Sequence, residues 1–386
     1  MPAAVTLADV VGVLDERYPP RTAESWDAVG LVCGDPDAEV RRVLFAIDPV
    51  AAVADEAIAG GFDLLVTHHP LFLRAVHGVA ATSPKGRVVH RLVTSGVALH
   101  VAHTNADVAS PGVSDALAGA LGLVDVVPLQ PQTDDVDKIV TFVPHDDAQR
   151  VLDALGEAGA GAIGNYSRCA WTAAGVGTFR PEHGAQPTIG SVGRIEEVPE
   201  TRVEMVLPRS RRADVVRALL RAHPYEMPAY DVYELAGLPV DRGLGRIGVL
   251  PDAEPLRGFA RRVATALPAT AGGVRVSGDL DRAVHTVAVC GGAGDSLLGV
   301  VQAADADAYV TADLRHHPAS EHAEAGGPAL VDAAHWATEW PWLGHAAREL
   351  TDGLRERTGI TVETTVSTLV SDPWSVHINE ESTVGS

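Results

Sequence analysis

The sequence predicts an α/β protein: a mixed, largely parallel sheet domain interrupted by a smaller ferredoxin-like α+β unit. Three observations predict it. Short apolar strand-like runs alternate with helical patterns over residues 5–125 and again over about 246–370. The intervening stretch, 129–245, follows a different order of elements. His, Asp and Glu recur where apolar runs end, the edge at which open α/β sheets bind ligands.

In the first half the periodicity predicts a helix over 6–17, a strand over 42–47, a helix over 50–59, a strand over 63–67, a helix over 86–95, a strand over 97–102 and a helix over 112–121. In the last third it predicts helices over 255–267, 295–303, 319–325 and 342–358, alternating with strands over 286–290, 308–311, 329–332 and 360–367. Strands this short and this apolar suit a sheet buried on both faces, with the two halves joined in one sheet domain. Asp63-Leu-Leu-Val-Thr-His-His-Pro and Asp307-Ala-Tyr-Val-Thr-Ala-Asp-Leu-Arg-His-His-Pro share a weak similarity, too short to separate an old duplication from chance. Between the halves, strands over 139–143, 203–207 and 229–235 and helices over 146–158 and 211–222 give a βα, hairpin, βαβ order, which is that of a ferredoxin-like unit. Gln130-Pro-Gln-Thr-Asp-Asp and Gly237-Leu-Pro-Val-Asp-Arg-Gly read as its hinges. The expected division is therefore 1–128 with 246–371 as the core, 129–245 as the insert, and 372–386 as a loose polar tail.

Composition narrows the class of function. The 386 residues, 46% of them hydrophobic, hold enough apolar surface for two or three domains with real cores. A net charge of −21 disfavours delocalised binding to nucleic acid or anionic lipid. Cys33, Cys169 and Cys290 are far apart and lack CxxC spacing, so neither a disulfide framework nor a thiolate zinc site is expected, and a reducing cytoplasm fits. The start lacks a basic region followed by an apolar core, and no run of about 18 apolar residues occurs, so neither a signal peptide nor a membrane span is expected.

The chemistry concentrates at three strand ends: His68 and His69 after one run, His103 and Asp107 after the next, and His335 and Glu339 after a third. Four residues apart on a helix, His335 and Glu339 lie on one face about a turn apart and can reach one ion. A His-His pair before Pro is, alone, as readily a polar loop; the combination with Asp107, His335 and Glu339 is what a loop seldom supplies. Three imidazoles and two carboxylates suit zinc, iron, manganese or cobalt, without choosing among them. Five donors exceed the need of one open tetrahedral ion, whereas a shared carboxylate from Glu339 suits two ions about 3.5–4 Å apart. His103 reads as a residue orienting Asp107, as a general acid/base, or as a sixth ligand, with the first preferred. Thr104 and Asn105 read as loop-holding side chains. His316 and His317 either face the cleft or start a solvated helix. Cys290-Gly-Gly-Ala-Gly-Asp-Ser reads as a tight turn before it reads as a phosphate loop, because its spacing matches neither common fingerprint. The arginines at 209, 211, 212, 217 and 221 read as a solvated helix face.

Several stretches together resemble the NIF-three-like family, often labelled GTP cyclohydrolase 1 type 2 homologs: Ser25-Trp-Asp-Ala-Val-Gly-Leu, Val66-Thr-His-His-Pro, Ala102-His-Thr-Asn-Ala-Asp, Cys290-Gly-Gly-Ala-Gly-Asp-Ser-Leu and Asp332-Ala-Ala-His-Trp-Ala-Thr-Glu-Trp-Pro. Gly164-Asn-Tyr and His223-Pro-Tyr-Glu-Met-Pro-Ala-Tyr in the middle are similar to the PII/CutA-like insert of its longer members. The resemblance implies two divalent metal ions per subunit, held by His68, His69, Asp107, His335 and Glu339, with His69 and Asp107 on one, His68 and His335 on the other and Glu339 between them. It also implies a homohexameric ring. Ala28 stands where members often carry Asn, so any contact from that amide is absent here. The implied activity is metal-assisted hydrolysis of a nucleotide or phosphoester; a non-catalytic metal-handling or regulatory role stays open beside it.

Overall fold

The computed structural model describes residues 4–237 and 239–378. The chain divides into two compact units, one of residues up to 132 together with those from 241 onward, the other of 133–240. In chain order the first unit contains α1 (Leu7–Arg17), β1 (Gly30–Cys33), β2 (Arg42–Ala46), α2 (Ala51–Ala59), β3 (Leu64–Thr67), α3 (Pro84–Thr94), β4 (Ala98–Val101), α4 (Thr104–Val108), α5 (Val113–Leu121) and β5 (Val124–Thr133). The second contains β6 (Val136–Pro144), α6 (Ala148–Glu157), β7 (Trp171–Phe179), β8 (Glu196–Pro208), α7 (Arg212–Ala222) and β9 (Tyr230–Glu234). The chain then returns through β10 (Pro239–Pro255), α8 (Leu256–Ala266), β11 (Val274–Ser277), β12 (Ala283–Ala293), α9 (Leu298–Ala303), β13 (Ala308–Ala312), α10 (His316–Glu324), β14 (Ala329–Ala333), α11 (His335–Thr358) and β15 (Glu363–Val366).

The larger unit holds two sheets where the sequence suggested one. A five-stranded sheet runs β1-β4-β3-β2-β15 and a six-stranded sheet runs β11-β14-β13-β12-β10-β5. In the first, β4, β3, β2 and β15 are parallel and only β1 is antiparallel; in the second, β12, β13 and β14 are parallel. Periodicity finds the strands but cannot choose their partners: β15, last in the chain, closes the N-terminal sheet, and β5, from the N-terminal half, joins the C-terminal one. Each sheet buries both faces. Val43 and Phe45 of β2, Leu64 and Val66 of β3, Val287 and Val289 of β12 and Val310 of β13 enter one large core with α1, α5, α8 and α11. The alternate residues Leu44 and Leu65 pack instead with α2 and α3, and Ala288 and Tyr309 pack with α9. This period of two is the strand geometry itself, and it produces continuous apolar runs because neither face is wet.

Local chemistry sets the helix ends. Thr6 caps α1 with a capping box: its Oγ1 accepts from Asp9 N at 3.2 Å while the Asp9 carboxylate accepts from Thr6 N at 3.0 Å. The sequence places His335 and Glu339 where a helix begins and a further helix over 342–358 beyond Pro341; in the structure one helix, α11, spans both. It starts at His335 and runs through Pro341, because Trp336, Ala337, Glu339, Trp342 and Leu343 are all buried and packing on both sides of the proline outweighs the hydrogen bond it removes. That start places His335 and Glu339 on one helix. In the smaller unit all pairings are antiparallel and the order is β7-β8-β6-β9, with α6 and α7 following β6 and β8. Ile139, Val143, Val203, Met205 and Leu207 of its sheet pack against Val151, Leu155, Val215 and Leu219 of the two helices. Of the expected tail, 379–386 lie outside the described residues. No helix among the described residues is long and apolar enough to cross a membrane.

Candidate metal centre

The carboxyl ends of strands from both sheets of the larger unit supply the centre. His68 and His69 follow β3, His103 follows β4 and Asp107 lies on α4, while His335 opens α11 just after β14. The candidate ligand atoms form two groups, His68, His69 and His103 in one and His69, His335 and Glu339 in the other, each within 4.8 Å.

Every imidazole is anchored through Nδ1, which leaves Nε2 for the centre. His68 Nδ1 donates to Ala102 O (2.9 Å), His69 Nδ1 to Asp48 Oδ1 (2.7 Å), His103 Nδ1 to Asp27 Oδ1 (2.9 Å) and His335 Nδ1 to Asp313 Oδ2 (2.7 Å). A ligand histidine held from behind by a carboxylate or carbonyl is the usual arrangement around protein-bound metals, since that bond fixes tautomer and ring orientation. Glu339 is the meeting point. Its Oε1 is 2.9 Å from His335 Nε2 and 3.5 Å from His68 Nε2, and its Oε2 is 3.1 Å from His69 Nε2. Asp107 Oδ1 is 3.6 Å from His68 Nε2.

The residues fit a metal. His68 Nε2 is buried without a hydrogen-bond partner, a cost that coordination removes. Backbone makes room as well: Gly292, with φ +69°, would bring a Cβ to 2.4 Å from Glu339 Oε1 and 3.0 Å from His335 Nε2. His335 and His68 face one oxygen of Glu339, Oε1, and His69 faces the other, Oε2.

The electrostatics follow from packing opposite charges together. Burial opposes charge on His69, but Glu339 and Asp48 raise it to about 10; Glu339 and Asp313 likewise raise His335 to about 11. His68 is raised in the same way, against its own burial, by Glu339 and Asp107. Burial lifts Asp107 to about 6. Glu339, though buried, is held well below the usual carboxylate range by His69, His335 and His68. His103 goes the other way, to about 4, because it is buried and faces the positive charge of His68. It is therefore neutral at neutral pH. Burial pushes the nearby Cys290 thiol up to about 12.

Of the residues singled out in the sequence, His68, His69, His103, Asp107, His335 and Glu339 come together, whereas His316 and His317 lie exposed at the start of α10 and belong to neither group. His103's ring bond goes to Asp27, which also accepts from Thr104 N at 3.0 Å, so Asp27 of the Ser25-Trp-Asp motif holds the α4 entrance. Asn105 fixes the same loop through His103 N (2.9 Å) and Tyr18 O (2.6 Å). Asp48 and Asp313 were missed. The signal was available: each directly follows an apolar run, Phe45-Ala-Ile-Asp48 and Val310-Thr-Ala-Asp313, the same cue that marked His68. A cleft of about 700 Å³ opens beside His69 and His335, lined also by Gly272, Gly273, Arg275 and Trp374.

A paired-sheet α/β protein with a histidine–carboxylate centre at converging strand ends is the class these features define. The Duf34/NIF3 (NGG1p interacting factor 3) family model matches residues 5–373, and the chain belongs to that family. A Mycobacterium bovis relative named GTP cyclohydrolase 1 type 2 homolog is 56% identical over 376 residues, covering 97% of each chain. A Streptomyces coelicolor relative of the same name is 42% identical, covering 96% of this chain and 94% of its own. Among solved structures, a Bacillus cereus protein related to NIF3 superposes with a TM-score of 0.75 at 36% identity, covering 96% of this chain and 99% of its own. Staphylococcus aureus protein SA1388 superposes at 0.80 and 28% identity, covering 97% and 99%.

Proposed function

We propose that the chain is a dinuclear divalent-metal-dependent hydrolase acting on a nucleotide or phosphoester. The observation that carries this reading is the pair of inward-facing donor groups that share His69 and meet at Glu339. His69 and Asp107 would hold one ion, His68 and His335 the other, and Glu339 would face both. When bound, two such ions bring a coordinated water toward neutral pKa and polarise a phosphoryl or ring carbon–nitrogen bond.

The chain's own residues do the remainder. Asp48, Asp27 and Asp313 keep the imidazoles oriented, so little reorganisation is needed during a reaction. Arg275 reaches the cleft with a guanidinium paired to Asp332, and exposed Trp374 gives it an aromatic plane, a cation and a flat apolar surface suited to a phosphate and a base. The cleft favours turnover over storage, since ions held only as cargo need no adjoining space of this size. We further read 133–240 as an inserted ferredoxin-like domain of the PII/CutA-like kind, supported by its βαββαβ order and antiparallel sheet, and the assembly as a cytoplasmic homohexamer, testable by mass photometry.

The test is reconstitution with zinc, iron, manganese or cobalt separately, followed by assay against GTP, other nucleotides and aryl phosphoesters. The reading expects metal-dependent turnover that Glu339→Gln abolishes. Fully loaded protein that turns over nothing in the panel would favour the metal-handling role.

A further inference from the structure

The smaller unit carries a cleft of its own, lined by none of the candidate metal ligands. Its helices cover one face of the four-stranded sheet, and the other face holds a cleft of about 610 Å³ between β7, the 181–189 loop and the 225–229 loop. That volume is in the range of small-molecule sites. The cleft exists because β7 presents small residues there: Ala173 lies opposite Arg202, and Gly175 opposite Glu200. Gly177 is also constrained, since a Cβ on it would meet Glu200 Oε2 at 2.0 Å.

Glu200 is the decisive group. It is 9% exposed, and its Oε1 accepts one hydrogen bond, from Tyr225 Oη at 2.9 Å. Among the described residues no lysine or arginine pairs with it. The nearby cations are committed elsewhere: Arg202 Nε donates to Glu204 at 2.9 Å with its guanidinium over the Phe142 ring, and Lys138 Nζ is 3.0 Å from the same Glu204. A second carboxylate, Glu226, lines the rim. Around these acids stand Phe142, Phe179, Tyr225 and Met227. Arg202 also lines the cleft, but its guanidinium is engaged by Glu204 and the Phe142 ring; a carboxylate among otherwise aromatic and apolar walls without an ion-pair partner is costly, and an organic cation supplies both the charge and the apolar contact.

We propose that this cleft binds a small organic ammonium ion with an apolar or aromatic body, its cationic end on Glu200 and Tyr225 and its body against Phe142 and Phe179. Every residue involved lies within 133–240.

The test uses the full-length, metal-loaded protein and three probes of one shape: 2-phenylethylammonium, neutral 2-phenylethanol and anionic 3-phenylpropanoate, each titrated by calorimetry. The ammonium should bind and the other two should not. Glu200→Gln should weaken ammonium binding at least tenfold while metal content and melting temperature stay those of the parent. Met227→Arg is a second variant at an exposed cleft position, where folding is not at stake; its added positive charge should weaken the ammonium several-fold. Binding of the alcohol or the carboxylate as tight as that of the ammonium overturns the proposal, as does undiminished ammonium binding in both variants.

Discussion

Glu339 bears on three imidazoles at once, so its charge is the quantity the centre depends on most. Glu339→Gln keeps the shape and removes the charge that offsets two cations; at least one ion per chain should be lost, read by elemental analysis after dialysis. The anchoring acids make a second prediction. Asp48→Ala or Asp313→Ala leaves every candidate ligand in place but frees an imidazole to rotate, which should cost about 10–100-fold in metal affinity. Proton competition gives a third. His69 and His335 have been raised to about 10 and about 11 from an ordinary value near 6.5, so in ion-free protein their contribution to stability is fully present below about 6.5 and is lost as pH rises through those raised values. Ion binding runs in the opposite sense, because each ligand must first lose its proton. Affinity should rise roughly tenfold per pH unit for each proton displaced, and across pH 6 to 9 rather than only around 6.5. Calorimetry in buffers of different ionisation enthalpy counts the protons; none released would remove the imidazole ligand set.

At the scale of elements, much was legible and the misses have physical causes. Strands β2, β3, β4, β13 and β14 were readable because burial on both faces makes their sequences continuously apolar. Strand β1 was not, since three of its four residues are only partly buried and Leu31 is exposed, and β7 was not, since its alternation of small residues serves a cleft instead of a core. The continuity of α11 through Pro341 was not legible, because the proline speaks locally while the buried Trp336 and Trp342 decide globally. The residues that come together were legible because histidines and acids mark strand ends irrespective of which strands pair. What spacing could not give was the convergence of His335 and Glu339 on His68 and His69, which requires the two sheets to be in place. Arg246 illustrates what ties elements together. It is 1% exposed on β10, donates through Nε to Asp115 Oδ1 at 2.8 Å and lies 2.7 Å from Asp115 Oδ2, while bonding the carbonyls of Gly243 and Gly245. Replacing Arg246 with Met leaves Asp115 and those carbonyls without their partner, and urea unfolding should show a loss of about 3–5 kcal/mol.

For the whole molecule, the candidate ligands all fall in the larger unit, and β5 and β10, which lead out of it and back, are neighbours in one sheet. Joining Gln132 to Asp241 through a short Gly/Ser linker should therefore give a soluble protein with unchanged metal content, because the excised stretch carries its own core. An insoluble or metal-free product with several linker lengths would show that 133–240 is part of the core's foundation. The central claim is that two donor groups meeting at Glu339 hold two ions. Titration of metal-free protein with a single divalent metal, followed by desalting and elemental analysis, tests it most directly. The account predicts two ions retained per chain, with Glu339→Gln retaining fewer. A plateau at one ion or none in the parent protein, or two in Glu339→Gln, would contradict it.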